Sequence, residues 1–311
     1  MKVLFVTSGN KETISPFVLE QGNALIKSGI EVSYFKIIGK GITGYLKNLK
    51  SLKKKIKELE PDLIHAHYGL SGLLVCLQKQ IPVIITFHGS DANIFLVRIF
   101  SKIAANLSDF NIFVESKIKA RIKGHNKNKI LPCGVNLDNF YPIKKSVARK
   151  QSNLDSEKKY ILFSSAFDNP VKNYQLAKSA ISILNEDIIL LELKNKTREE
   201  VNLLLNACDI ALLTSLSEGS PQFIKEAMSC NCPIVATDVG DVKKIISQTE
   251  GCFVTSFDPD NVANKIKIAL EFRQRTDGRQ KIKSFSNSLI AIQIINIYET
   301  TLKSKSKSLV T

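Results

Sequence analysis

Eight positions separate two carboxylates in the segment Glu218-Gly-Ser-Pro-Gln-Phe-Ile-Lys-Glu226, and a turn that opens a helix lies between them. Ser220 followed by Pro221 predicts an N-cap and a first helical residue. The backbone N–H groups of Gln222, Phe223 and Ile224 then fall in a first turn that offers them no helical acceptor, and the positive end of the helix dipole adds to their pull. Such a start favours an anion, for example a diphosphate. Glu218 sits in the loop beside that anion position. Glu226 lies ~7–8 Å farther along the helix axis at ~1.5 Å per residue, far enough to meet the hydroxyls of a ribose. A plainer role is open as well: acidic side chains near a helix start compensate its dipole in many proteins.

The elements that must hold this segment can be read on both sides of it. Ile210-Ala-Leu-Leu-Thr214 upstream is a short apolar run of the kind a buried strand needs, so the motif is strand, loop, helix. The second half of the chain repeats that alternation, with strands near 160–164, 187–192, 209–214, 233–237 and 252–254 and helices after Asn173, Thr197, Ser220, Asp241 and Asp258. The first half does the same: strand 2–7, a helix from Ser15-Pro16 stopped by Gly29, an alternating strand 31–37, then strands 63–67, 82–87, 109–114 and Lys129-Ile-Leu-Pro. This pattern predicts an α/β fold of two Rossmann-like domains with parallel sheets, their carboxyl edges meeting across a cleft. The lysine-rich stretch 142–159 reads as the linker, giving an N-terminal domain over 1–145 and a C-terminal one over 155–285. A terminal helix is expected over 286–302, with Leu289, Ile292, Ile295 and Tyr298 on its apolar face, and a disordered tail over 303–311.

With 311 residues, 44% hydrophobic and 23% charged, the chain has the composition of a folded globular protein and not of a disordered one. Its net charge of +15 is lopsided: residues 1–150 carry 24 Lys and Arg against 10 Asp and Glu, residues 151–311 carry 20 against 19. The first half is therefore expected either to meet an anionic surface, such as a membrane, or a diphosphate-linked acceptor, or to present its excess charge simply as a solvated face, as amphipathic helices such as Lys47 to Lys57 often do. Nucleic acid is set aside for want of a helix-turn-helix or stacking motif. The start reads as a first strand instead of a signal peptide, no apolar run reaches the ~20 residues of a membrane span, and six Cys in mostly apolar settings suit a reducing cytoplasm. His65-Ala-His67 places two imidazoles on one face of a strand, but no third ligand at metal spacing accompanies them.

From Asn206 to Asp241, with Cys208-Asp-Ile-Ala-Leu-Leu-Thr-Ser before the first Glu and Pro233-Ile-Val-Ala-Thr-Asp-Val-Gly after the second, the chain resembles the nucleotide-sugar-binding segment of retaining glycosyltransferases of family 4. The resemblance extends over nearly the whole chain and implies the GT-B fold, with the terminal helix crossing back onto the first domain. It implies that Glu218 touches donor-sugar hydroxyls, that Glu226 holds the ribose, and that Lys172 meets the donor diphosphate as a point charge on a long stem. It places the nucleobase against the backbone of Leu193 and Lys194. His88, in Phe87-His-Gly-Ser-Asp91, would contact the donor sugar, and Gly89 would permit close approach; unaided, His88 could equally cap a helix, and Asp91 could do the same. Gly9 and Asn10 fall where acceptor and phosphates approach, although the family's glycine-rich pair is absent. The chain also departs from the family in lacking an Arg a few residues before Lys172, where it has Ser165, Ala166 and Phe167.

The function expected is thus a metal-independent, cofactor-free, retaining transfer of a sugar from a nucleoside diphosphate sugar to a lipid-linked or oligosaccharide acceptor in bacterial surface-polysaccharide assembly. The leaving diphosphate would itself take the acceptor's proton, so no protein nucleophile is required. The cytoplasm, with peripheral attachment to the inner membrane face, is the expected location. A GT-B scaffold that binds without turnover is the rival. An epimerase of the same fold is disfavoured by the paired Glu.

Overall fold

The computed structural model describes residues 1–9, 14–124 and 127–308. Asn10 lies outside them. The chain divides into two compact units, Met1–Gly134 with Asn287–Thr311, and Val135–Ser286.

In the first unit, strands β1 (Lys2–Ser8), β2 (Glu31–Ile37), β3 (Leu63–His67), β4 (Val83–Phe87), β5 (Phe110–Phe113) and β6 (Asn128–Ile130) form a sheet in the order β2-β1-β3-β4-β5-β6. Every pairing is parallel. Strands β3 and β4 are buried along their whole length, as strands covered on both faces must be. The crossovers are α1 (Pro16–Lys27), α2 (Gly41–Leu46), α3 (Leu49–Leu59), α4 (Gly69–Cys76), α5 (Gly89–Asn93), α6 (Phe95–Leu107) and α7 (Ser116–Ile122). Helices α2 to α7 supply apolar side chains to one core, whereas α1 shares the other with the C-terminal helix.

The second unit contains α8 (Lys145–Gln151), β7 (Lys159–Phe163), α9 (Tyr174–Leu184), β8 (Ile188–Leu191), α10 (Arg198–Ala207), β9 (Ile210–Leu213), α11 (Gln222–Ser229), β10 (Ile234–Thr237), α12 (Val242–Ile246), β11 (Cys252–Thr255), α13 (Pro259–Glu271) and α14 (Gly278–Ile282). Its sheet runs β11-β10-β9-β7-β8, again all parallel. Both units are Rossmann-like, as the alternation of the sequence predicts.

Two expectations about boundaries and one about a helix face are corrected. The stretch 142–159 is not a linker: it holds α8 and belongs to the second unit, which begins at Val135. Arg149 can be buried there because its guanidinium donates to the Ala207 carbonyl at 3.1 Å and pairs with Asp209 at 3.1 Å. The last helix, α15 (Asn287–Ser308), includes residues 303–308 of the stretch 303–311 expected as a disordered tail. Its buried face is Ile290, Ala291, Ile294, Ile297 and Tyr298, whereas Leu289 and Ile292 are about half exposed. Nearly every position from 289 to 297 is apolar, so spacing alone left the phase of the stripe open. Among the described residues, no helix is long and apolar enough to cross a membrane.

Candidate functional site

In the second unit β9 delivers the chain into Thr214 and Ser215, and the loop beyond turns into α11. The loop is held from several directions. Thr214 Oγ1 donates to the carbonyls of Lys172 and Asn173 at 2.9 and 3.0 Å, and Leu216 N donates to Val171 O at 2.9 Å. These bonds stitch the loop after β9 to the single 3₁₀ turn Pro170–Lys172. Asn173 closes that turn in the left-handed region at φ 53°, a conformation Asn tolerates better than most residues. Lys172 is thereby aimed at Glu218: Nζ donates to Oε1 at 2.6 Å, and Ser215 Oγ donates to the same oxygen at 2.8 Å.

Ser220 does not cap the helix. Pro221 occupies the N-cap position and Gln222 is the first helical residue. The Ser220 hydroxyl donates to Asp241 Oδ2 at 2.6 Å and accepts from Lys225 Nζ at 2.5 Å. Lys225 is fully buried. A proline at the cap position has no side-chain acceptor to offer the first turn, so nothing local shields the N–H groups of Gln222, Phe223 and Ile224. Behind the loop, Gly240 has φ +57°, and a Cβ there would lie 2.3 Å from the Gly219 carbonyl oxygen. Position 240 must be glycine for the two backbones to approach so closely.

Glu226 projects from the middle of α11 with only 4% of its surface exposed. Its Oε1 pairs with Arg198 at 2.8 Å, and the Arg198 guanidinium lies over the Phe140 ring at 4.4 Å. Arg198 escaped the sequence reading. A cation in the first turn of a helix works against the helix dipole, and that anomaly was the available signal. Lys225 and Asp241 were missed too, since a Lys and an Asp give no hint in sequence that they meet. Leu193 N donates to Ser165 O at 3.0 Å, and Lys194 is an exposed side chain paired with Asp168 at 2.8 Å. The turn after β8 therefore lies against the loop that carries Lys172.

The first unit gathers the other predicted residues. His88 ends β4 and opens α5; its backbone N–H donates to Asp91 Oδ2 at 2.7 Å, while Asp91 Oδ1 accepts from Gly69 N at 2.9 Å. Asp91 thus fixes two loop backbones, the capping role that the sequence left open. Burial pushes its carboxyl up to about 7 against those two hydrogen bonds. The His88 ring is bracketed: Nε2 lies 3.4 Å from His67 Nδ1, Nδ1 lies 3.9 Å from Cys133 Sγ, and Phe17 and Tyr68 pack against it. His65 and His67 are fully buried and stacked. His65 bonds Tyr298 OH at 2.6 Å and Thr86 Oγ1 at 2.7 Å. Burial, helped by the charge on His88, lowers His65 to about 3, and burial with the neighbouring imidazoles lowers His67 well below its usual range. Gly9 N donates to Ile37 O at 2.7 Å at the end of β1. Among the described residues, no three His, Cys, Asp or Glu side chains converge as a metal site would require.

Two family models match the chain, Glycosyltransferase Family 4 over residues 17–139 and Glycosyl transferases group 1 over 168–271. An uncharacterized glycosyltransferase of Methanocaldococcus jannaschii is 30% identical over 294 residues, with 82% of this chain and 80% of that protein covered. The chain belongs to the group 1 glycosyltransferases of family 4. This glycosyltransferase is also 26% identical to the N,N'-diacetylbacillosaminyl-diphospho-undecaprenol alpha-1,3-N-acetylgalactosaminyltransferase of Campylobacter jejuni, over 83% of the chain and 82% of the relative. Its fold matches that of sucrose-phosphate synthase from Thermosynechococcus elongatus with a TM-score of 0.82 at 17% identity, covering 97% and 99% of the two chains. Anabaena HepE, solved with UDP and glucose, matches with a TM-score of 0.76 at 17% identity, covering 96% and 100%. The group 1 glycosyltransferase thus has the GT-B architecture that its sequence predicts, and it is related to enzymes of bacterial polysaccharide and lipid-linked sugar assembly.

Proposed function

We propose that this glycosyltransferase moves a sugar from a nucleoside diphosphate sugar to a hydroxyl of a lipid-linked or oligosaccharide acceptor, with retention and without a divalent ion, in surface-polysaccharide assembly at the inner face of the cell membrane. The observation that carries the reading is Lys172 and Glu218 held together beside the start of α11. The diphosphate binds at Lys172 and the N–H groups of Gln222, Phe223 and Ile224, which match its charge in place of a metal. Glu226, already held by Arg198, accepts from the ribose hydroxyls, and the backbone of Leu193 and Lys194 meets the base. Glu218 takes the sugar hydroxyls on the other side of the diphosphate. On the family resemblance alone, His88 and Gly89 are assigned to the donor sugar and Gly9 to the acceptor side.

In the transfer, the bond from the anomeric carbon to the diphosphate oxygen breaks as the acceptor oxygen bonds to the same face of the sugar. The acceptor's proton passes to the departing phosphate oxygen. Lys172 and the helix start favour that step because they meet charge that grows as the bond breaks. Relatives named for diphospho-undecaprenol substrates support the acceptor class, and HepE with UDP supports the donor class.

Incubation with a panel of nucleotide sugars and a lipid-linked acceptor, with and without chelator, tests the reading. Release of nucleoside diphosphate unchanged by chelator, and a product with the donor's anomeric configuration by NMR, is the expected result. Loss of turnover restored by Mg²⁺ or Mn²⁺ removes metal independence, and an inverted product removes retention. A second reading, a scaffold that binds donor without turnover, is favoured by Ser165, Ala166 and Phe167 standing where the family has an Arg. Donor binding with no release of nucleoside diphosphate across the panel would establish it.

A further inference from the structure

Helix α6 is built inside out. Its buried positions are the small Ser101, Ala104 and Ala105, packed so close to α4 that a Cβ on Gly69 would fall 2.7 Å from Ser101 Cβ. Its large apolar side chains point to solvent instead: Phe95 and Leu96 are each 65% exposed, Leu107 55%, Ile103 44% and Ile99 41%, and Ile94 just before them is 54% exposed. At 100° per residue, 95, 96, 99, 103 and 107 share one face of the helix, and Arg98 and Lys102 flank it. An amphipathic helix on a core would bury these residues and expose the alanines.

We propose that this face of α6 is a docking surface for a bilayer that contains acidic phospholipid. The surroundings of the stripe select that occupant. No Asp or Glu occurs from Ala92 to Ser108. Helix α7 packs beside α6 on the same face of the sheet and exposes Lys117, Lys119 and Arg121, followed by Lys123. Arg121 reaches across to Asn93, the last residue of α5, just before α6 begins. An apolar stripe rimmed by cations fits an acyl boundary below anionic headgroups. A second copy of the chain would bring the same cations against one another, and a neutral apolar partner would leave them unmatched. Ile94 lies six residues beyond His88 along the chain. The surface is therefore carried by the same strand exit as the residue assigned to the donor sugar, where a lipid-linked acceptor would be held.

The inference rests on the lipid-linked acceptor only for its purpose. The full chain is mixed with phosphatidylcholine vesicles with and without phosphatidylglycerol, in the absence of donor and acceptor, and sedimented at low and high salt. Binding should require phosphatidylglycerol and weaken as salt rises. The combined Phe95→Ser, Leu96→Ser and Ile99→Ser variant should bind about tenfold or more weakly, and Lys117→Gln with Lys119→Gln should weaken binding while retaining the apolar stripe. Donor turnover on a water-soluble acceptor, read without lipid, should not change in either variant, so failure of the vesicle arm and failure of the transferase reading are told apart. Equal binding of the wild type and the triple variant overturns the proposal, as does indifference of the wild type to phosphatidylglycerol. A concentration-dependent dimer that the triple variant abolishes, with no vesicle binding, reassigns the face to self-association and also overturns it.

Discussion

Lys172 Nζ donates to Glu218 Oε1 at 2.6 Å, so the cation proposed for the donor diphosphate is matched by the carboxylate proposed for the donor sugar. A diphosphate at Lys172 must compete with that carboxylate. Both side chains are about four-fifths buried, so the pair is only partly screened.

Glu218→Gln should therefore separate binding from turnover. The amide keeps the shape but gives up the competing charge, and free nucleoside diphosphate should bind as well as to the wild type or up to about tenfold more tightly. Turnover should fall by about a hundredfold if the carboxylate meets sugar hydroxyls in the transition state. Calorimetric titration alongside steady-state rates measures both; weaker nucleotide binding with unchanged turnover would place Glu218 elsewhere.

Lys172→Gln should act in the opposite sense on affinity. Loss of a charged hydrogen bond of roughly 1.5–3 kcal/mol predicts a dissociation constant about tenfold to a hundredfold higher for nucleoside diphosphate, with little change for the nucleoside alone. Since the two residues touch, the double variant with Glu218→Gln should depart from the sum of the single effects.

Glu226→Gln disturbs two partners. It should weaken nucleoside as well as nucleotide by about tenfold or more, because the ribose is common to both. It should also lower the melting temperature, since Arg198 is left beside a neutral amide in a site where Glu226 is 4% exposed. Arg198→Gln, which leaves the carboxylate in place but unsupported, should lower stability and weaken ribose binding less. If both variants shift only the melting curve, the pair is structural.

Gly240→Ala tests the packing behind the loop. The added methyl meets the Gly219 carbonyl, and the left-handed φ of +57° adds backbone strain, together costing on the order of 1–3 kcal/mol. Because the displaced backbone lies between Glu218 and Ser220, turnover should fall further than stability alone explains. Rates measured well below the melting temperature of the variant check this; rates equal to wild type there would free the loop from Gly240.

Acid should destabilise the first unit along a slope set by opposing groups. His65 and His67 titrate lower in the fold than their ordinary 6.5, so as pH drops below 6.5 the unfolded chain takes up protons that the folded chain refuses, and stability is lost. Asp91 is raised from 3.8 to about 7, so across that window the folded chain holds a proton that the unfolded chain releases; its contribution is present at low pH and lost as pH rises. Two histidines against one aspartate leave a net loss of stability on acidification below pH 6.5. Asp91→Asn removes the opposing group and should make the loss steeper. Denaturant titrations of both proteins at several pH values measure the two slopes, and parallel slopes would contradict the assignment.

Much of this protein was written in its periodicities. Alternation of short apolar runs with helical patterns is a local property, and it determined both Rossmann-like units and nearly every strand, because a strand buried on both faces has to be apolar throughout. The loop-to-helix segment from Glu218 to Glu226 was legible for a similar reason: strand, turn chemistry and helix start are neighbours in sequence. What lay beyond the sequence were the meetings of distant residues. Nothing local says that Lys172 is spent on Glu218, that Arg198 from another helix grips Glu226, or that Ser220 turns from the cap to Asp241 and Lys225. A side chain chooses its partner by where the backbone carries it, and with several charged groups in reach that choice belongs to the tertiary fold. The phase of α15 and the inverted face of α6 were hidden likewise, since a helix apolar on most sides does not declare which side the core will take.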